Sequence, residues 1–252
     1  MAFNREIWRT RFTSENIPNF PCPHCKNGQL AFKKDSLVEV ETSFSKNSRK
    51  DADWEPDWIK KRFNYSYECI SQQCGEHVNC IGETELVEIF DEEIFDIIEV
   101  LSIKAIFPSP PIITYPKNTP FKVSRILTES FPLFWTDRGA ASSKIRSCLE
   151  EILNHYDIPK TILTKKGKER RLDLAERITI FEQSKPDYLH HFSALRQMGN
   201  VGTHGRQITE SGVLDAYEIT DNLLEELFED KEAKKQNIKK ITENILQNKG
   251  NI

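Results

Sequence analysis

Four cysteines in two short clusters constrain this chain most. In Pro21-Cys22-Pro23-His24-Cys25 two residues separate the cysteines, a spacing that lets one tight turn aim two thiolates at a single metal ion. A matching pair must come from elsewhere, and Cys69 with Cys74, four residues between them, supplies it across a 43-residue insertion. Four thiolates make a closed tetrahedral set, so the expected cofactor is a structural zinc ion held by Cys22, Cys25, Cys69 and Cys74. Cys80, in the alternating run Val78-Asn79-Cys80-Ile81-Gly82, competes for the fourth place, and His24 and His77 are further rivals. The bland alternative is that all six cysteines are small buried residues kept reduced in a cytosol.

Around the cysteines the pattern is mostly of strands. Residues 37–44 alternate in strand fashion, and the polar stretch 45–53 reads as a loop. Lys60-Lys61-Arg62 beside Phe63, Tyr65 and Tyr67 admits two readings. Basic residues next to aromatics serve single-strand binders by stacking and phosphate attraction; the favoured reading is a strand whose rings pack on the metal knuckles. Residues 83–99 carry eight carboxylates with no lysine or arginine, interrupted by apolar pairs; strand and helix readings both survive, and the favoured one is strands finishing a small sheet round the metal, with one helical turn and a solvated acidic face. Residues 107–116, with four prolines, form a stiff connector.

Beyond the connector the period turns helical. Thr119 reads as an N-cap with Pro120 as first helical residue, and Pro132 as a kink or stop. Ala141, Ile145, Cys148, Leu149, Ile152 and Leu153 mark the buried face of a second helix, where Arg146 and Glu150 read as a surface ion pair. Lys165, Lys166, Lys168, Arg170 and Arg171 form the densest basic cluster, read as a loop and a candidate nucleic-acid contact. A further helix covers 189–204, on which Arg196, Asn200 and His204 recur every four residues and share a ridge. Beside it run Leu189, Phe192, Leu195, Gly199 and Gly202, so a close approach is expected there. The tail beyond Asp230 is lysine-rich and helical.

The net charge of −4 means that any nucleic-acid contact must be a local basic patch. No run of apolar residues is long enough to span a bilayer, and the first residues lack a signal peptide's apolar core, so no membrane partner and a cytoplasmic location are the expectation. The fold class expected is α+β: a small zinc-ribbon-like β domain over 1–113, an antiparallel helical bundle over 114–230 and a charged tail over 231–252.

The order of a cysteine domain, the Tyr115-Pro116…Thr119-Pro120 connector, the segment Ala140-Ala141-Ser142-Ser143-Lys144-Ile145-Arg146 and the pattern Arg196-x-x-Gly199-Asn200-x-x-x-His204 resembles the prokaryotic domain-of-unknown-function 4145 family. The similarity covers roughly 116–228, and loosely the cysteine domain. It implies a HEPN-like helical bundle, a homodimer, and association with restriction or anti-phage defence, including a defence partner protein. Many HEPN proteins are metal-independent ribonucleases using an arginine and a histidine at a shorter spacing than the seven residues between Arg196 and His204. In such chemistry the imidazole moves protons at the ribose 2′-hydroxyl and the arginine holds the phosphate.

The structural alternative gives Arg196 a bridge to a neighbouring helix, Asn200 a bond to a facing backbone, and His204 a cap. The preferred function is therefore a non-enzymatic module binding nucleic acid, RNA or DNA, or a partner protein. An endoribonuclease using Arg196 and His204, with Asn200 beside them, and a dimeric scaffold without a nucleic-acid role are the alternatives.

Overall fold

The computed structural model describes residues 3–91, 94–203 and 207–247, with side chains described at these except 89–91, 94–95, 201–203 and 247. The first half forms seven antiparallel strands: β1 (Arg11–Phe12), β2 (Phe20–Pro21), β3 (Gln29–Phe32), β4 (Val38–Glu41), β5 (Lys61–Cys69), β6 (His77–Asp91) and β7 (Ile94–Phe107). They lie in the order β1-β7-β6-β5-β3-β2, with β4 also on β5. β3 pairs with the C-terminal half of β5 and β4 with its N-terminal half, so both share one edge.

Strict alternation drives β5. Phe63, Tyr65, Tyr67 and Cys69 face inward while Arg62 and Asn64 are exposed. A strand with period two buries one face, and these aromatics fill it. Buried in the core, their rings are not exposed to stack bases, which removes the single-strand-binding reading of this stretch. A register shift between Ile81 and Gly82 pairs Ile81 with Ala105 but Gly82 with Ile103, leaving Lys104 as the extra residue of a bulge in β7. The bulge lets Ile103 and Ile106 both reach the core.

Helices make the second layer: α1 (Ser43–Ser48) within the sheet half, then α2 (Phe121–Thr136), α3 (Arg138–His155), α4 (Leu174–Ser184), α5 (Leu189–Thr203), α6 (Glu210–Phe228) and α7 (Lys231–Gln247). α3 packs against α2, α5 and α6, and α2 lies against β7. The predicted inward residues of α3 are all buried. Asp137 caps α3 by accepting from the Ala140 N–H at 2.9 Å, and Asp173 and Glu176 cap α4 reciprocally. Tyr217 donates to Ser130 Oγ at 2.9 Å, so this hydroxyl in the helical core is satisfied. No helix among the described residues is long and apolar enough to cross a membrane.

Several local expectations give way to capping and pairing. The strand over 37–44 stops at Glu41 because the Thr42 hydroxyl accepts from the Ser45 N–H at 3.2 Å and starts α1, which also takes up part of the expected 45–53 loop. Pro120, not Thr119, sits at the start of α2, and the Thr119 hydroxyl is buried without a partner. α2 runs through Pro132 to Thr136; near a helix end only one or two turns lie beyond the missing N–H. The basic segment 165–171 is not a simple loop. Thr161–Leu163 (β8) pairs with Glu169–Arg171 (β9), and the turn between them has Gly167 at φ +75°.

The two layers share one core. Phe20 packs on Trp8, Tyr67 and Trp135 at 5.2, 5.6 and 5.6 Å between ring centroids, and Trp8 meets Phe134 edge-on at 6.4 Å. Phe134→Ala is expected to cost about 3–5 kcal/mol, the range for deleting a buried phenyl ring. Sheet and helices should lose structure in one denaturant transition; separate midpoints by tryptophan fluorescence and far-UV circular dichroism would contradict the shared core.

Candidate functional site

Three stretches of chain bring four sulfurs together. Cys22 follows β2, Cys25 closes its turn, Cys69 ends β5, and Cys74 sits in the turn before β6. The first turn is tied by Cys22 N–H to Gly28 O at 2.9 Å and Lys26 N–H to Cys22 O at 3.1 Å. The second is tied by Cys74 N–H to Ser71 O at 2.9 Å and Cys69 N–H to Glu76 O at 2.9 Å. Sulfur separations are 3.7 Å for Cys22–Cys74 and 3.8 Å for Cys25–Cys69, and all four atoms lie within 4.8 Å of one another. This cluster could hold a metal ion.

Its electrostatics agree with that capacity. Burial alone would raise the Cys25 thiol, but N–H groups of Gly28 and Asn27 and the neighbouring sulfurs hold it down to about 7. For Cys69 the Ser71 N–H favours the thiolate, yet burial and the sulfurs of Cys22, Cys25 and Cys74 push it up to about 12. Four crowded thiolates repel one another, and a bound cation relieves that repulsion. A Cβ at Gly28 would stand 2.6 Å from Cys69 Sγ and 3.0 Å from Cys25 Sγ, so only glycine lets the backbone close round the sulfurs. His24 Nδ1 lies 3.5 Å from Cys74 Sγ and touches the cluster from outside. Cys80 faces the sheet core instead, where burial pushes its thiol up to about 12, and neither it nor His77 belongs to the set.

On α5, Arg196 and Asn200 are half-buried one turn apart, as their spacing implies. His204 lies outside the described residues. Asn200 Oδ1 accepts from Arg146 Nη1 of α3 at 2.8 Å. Arg146 thus crosses to α5, where sequence spacing suggested a pair with Glu150. The reason is Gly199: a Cβ there would be 2.5 Å from the Arg146 Cβ, so the missing side chain makes room for the arginine stem.

Two grooves flank α3. The larger, about 1040 Å³, lies between the β1–β7 edge and the α2–α3 junction. Arg9, Arg11, Lys104 and Arg138 line it, with Asp137, Glu210 and, beyond the undescribed residues 204–206, Gln207 and Ile208. Glu210, first residue of α6, accepts from the Thr10 hydroxyl at 2.5 Å, the Thr10 N–H at 3.2 Å and Arg138 at 3.2 Å. It latches the sheet to the helices. The smaller groove, about 430 Å³, is lined by Arg146, Lys160, Arg171 and Arg177 facing Glu150, Glu151 and Asp173. Buried Arg177 is held by Asn154 Oδ1, Pro159 O and Ile158 O.

The predicted basic residues divide. Lys165, Lys166 and Lys168 sit exposed at the β8–β9 turn, Arg170 is held by Glu176 at 2.7 Å, and Arg171 lines the smaller groove. α3, 18 residues and about 27 Å long, runs from Arg138 at the larger groove to the segment that leads into this hairpin. Arg9, Thr10, Arg11, Lys104, Arg138 and Glu210 escape sequence reading. Only Arg9-Thr10-Arg11 forms a local signal, and it is too short to stand out.

Two family models match the chain. Residues 10–104, which include all four cluster cysteines, match a family described as Domain of unknown function (DUF8608). Residues 128–244, from the middle of α2 into α7, match Domain of unknown function (DUF4145). The cysteine half thus matches a family model of its own. No curated protein and no solved structure matches the chain.

Two substitutions test this geometry. Gly28→Ala should release metal to a chromophoric chelator at lower chelator concentration than the unaltered protein; unchanged retention would show that the close approach does not matter. Gly199→Ala should destabilise the fold by roughly 1–3 kcal/mol through overpacking against Arg146, read from the denaturation midpoint.

Proposed function

We propose that this protein is a zinc-stapled, HEPN-like binding module that takes the backbone of a nucleic acid in its larger groove without cutting it. The observation that carries this reading is the convergence of Arg9, Arg11, Lys104 and Arg138 from three separate stretches of chain on one groove. Arg9 is paired with Glu6, Arg11 with Glu85 and Arg138 with Glu210. The first pair is exposed on both sides and the second on its arginine side, and surface pairs contribute only about 0–1 kcal/mol, so a phosphate can exchange into them at little cost. The bulge at Lys104 adds a cation that makes no ion pair among the described residues.

Zinc is the metal the sulfur set fits. Zinc–thiolate bonds of about 2.3 Å make a tetrahedron with edges of about 3.8 Å, close to the 3.7 and 3.8 Å separations. Four protein ligands leave no open position, so the ion would hold the two turns together and take no part in chemistry. The helices packed round α3 support the HEPN-like reading. A place in an anti-phage assembly rests on the family resemblance alone.

Elemental analysis should find about one zinc per chain, falling well below that in Cys25→Ser with Cys74→Ser; metal-free protein purified without chelator would remove the staple. For the groove, anisotropy of labelled oligonucleotides should report at least ten-fold weaker binding by Arg11→Glu with Lys104→Glu. The slope of log K against log salt should shrink by about two, while Lys165→Glu with Lys166→Glu changes little. Absence of saturable binding at low salt would sink the proposal. An endoribonuclease using Arg196 and His204 is the second reading, favoured by Arg196 and Asn200 standing half-buried one turn apart on α5 within the stretch that matches DUF4145. RNA cleavage in EDTA, lost in His204→Ala, would establish it in place of simple binding.

A further inference from the structure

Among the described residues Arg177, near the start of α4, is the only charged side chain that is buried, at 5% exposure. Charged groups are rarely buried unless an opposite charge pairs with them. Arg177 has no such partner. Its acceptors are the neutral oxygens of Asn154 Oδ1, Ile158 O and Pro159 O, at 2.8, 3.0 and 3.2 Å. These bonds use Nε and Nη2. Nη1 makes none and is not sealed off, and Arg177 lines the smaller groove. Burial works against its charge, and Glu150 and Glu151 offset this only in part.

The groove round it keeps opposite charges apart. Four cations (Arg146, Lys160, Arg171 and Arg177) and three carboxylates (Glu150, Glu151 and Asp173) line it, and among the described residues none of the seven forms an ion pair. Nearby, Arg170 and Glu176 do pair, at 2.7 Å. Arg146 donates to Asn200 instead, and Asp173 caps α4. Lys160 and Arg171 stand exposed at the rim, while Glu150 and Glu151 are half-buried. The volume of about 430 Å³ falls within the usual span of small-molecule sites, about 300–1,000 Å³. Such sites are mostly apolar, so a lining this charged calls for a polar occupant.

We propose that the smaller groove binds a small phosphomonoester whose organic part carries hydroxyls, a sugar phosphate, with its phosphate on Arg177 and Arg171 and its hydroxyls on Glu150 and Glu151. A phosphate supplies the opposite charge that Arg177 lacks, and guanidinium N–H groups match its oxygens. Ionised carboxylates only accept hydrogen bonds, so sugar hydroxyls satisfy them. A bare oxyanion would face those carboxylates in repulsion, and a metal cation would face four positive side chains. The larger groove, at the start of α3, takes no part, and a failure of nucleic-acid binding there would leave this site untouched.

The test is calorimetric titration of the full chain with ribose 5-phosphate, and with inorganic phosphate and ribose separately. Ribose 5-phosphate should bind saturably at about one per chain and more tightly than either part alone. Lys160→Glu with Arg171→Glu should weaken it roughly ten-fold or more, through lost charge-assisted bonds. Both positions are exposed, so far-UV circular dichroism should not change. Substituting Arg177 would also free the link between α3 and β8, so the rim pair is the cleaner variant. Glu150→Ala with Glu151→Ala should cut the preference for ribose 5-phosphate over inorganic phosphate by about five-fold, because the hydroxyl acceptors and a repelling charge go together. Arg11→Glu with Lys104→Glu should leave the titration unchanged. Absence of saturable binding at millimolar ligand would overturn the proposal. Equal affinity for inorganic phosphate and ribose 5-phosphate would do the same, as would binding that survives the rim pair or is lost with Arg11 and Lys104.

Discussion

Four sulfur atoms drawn to one point constrain the sheet half of this molecule. They join the turn after β2, the end of β5 and the turn before β6, adding a side-chain cluster where β2, β3, β5 and β6 already pair. Holding those ends sets where Phe20 lies, two residues before Cys22. Phe20 in turn carries the order of the cysteine cluster into the helices, because it sits among Trp8, Tyr67 and Trp135. Hydrophobic burial then does the larger work: the core runs without a break from the cysteines to α6.

α3 is the second organising element. Its apolar face supports α2, α5 and α6, and its polar face serves both grooves. Arg138 at its first turn reaches Glu210 and the larger groove, while Arg146, two turns on, crosses Gly199 to Asn200. A glycine in mid-helix costs roughly 1 kcal/mol against alanine. The close seat for an arginine stem explains why α5 carries one there.

The surface shows a different economy of charge. The chain as a whole is acidic, yet cations converge on one groove and carboxylates on the β6–β7 hairpin. Such segregation places potentials of opposite sign on one molecule, the kind of field that steers charged partners.

Much of this was legible in the residues themselves. The cysteine spacing named the four sulfurs, the alternation of Phe63, Tyr65 and Tyr67 marked β5, and the period of Ala141 through Leu153 marked the buried face of α3. These are local patterns, set by the geometry of a turn, a strand or a helix, and a chain carries them whatever it packs against. Tertiary structure alone decided that Arg146 turns to Asn200 and that Arg9, Arg11, Lys104 and Arg138 share a groove. Each depends on which distant groups become neighbours, and distance along the chain holds no record of that until the core has formed.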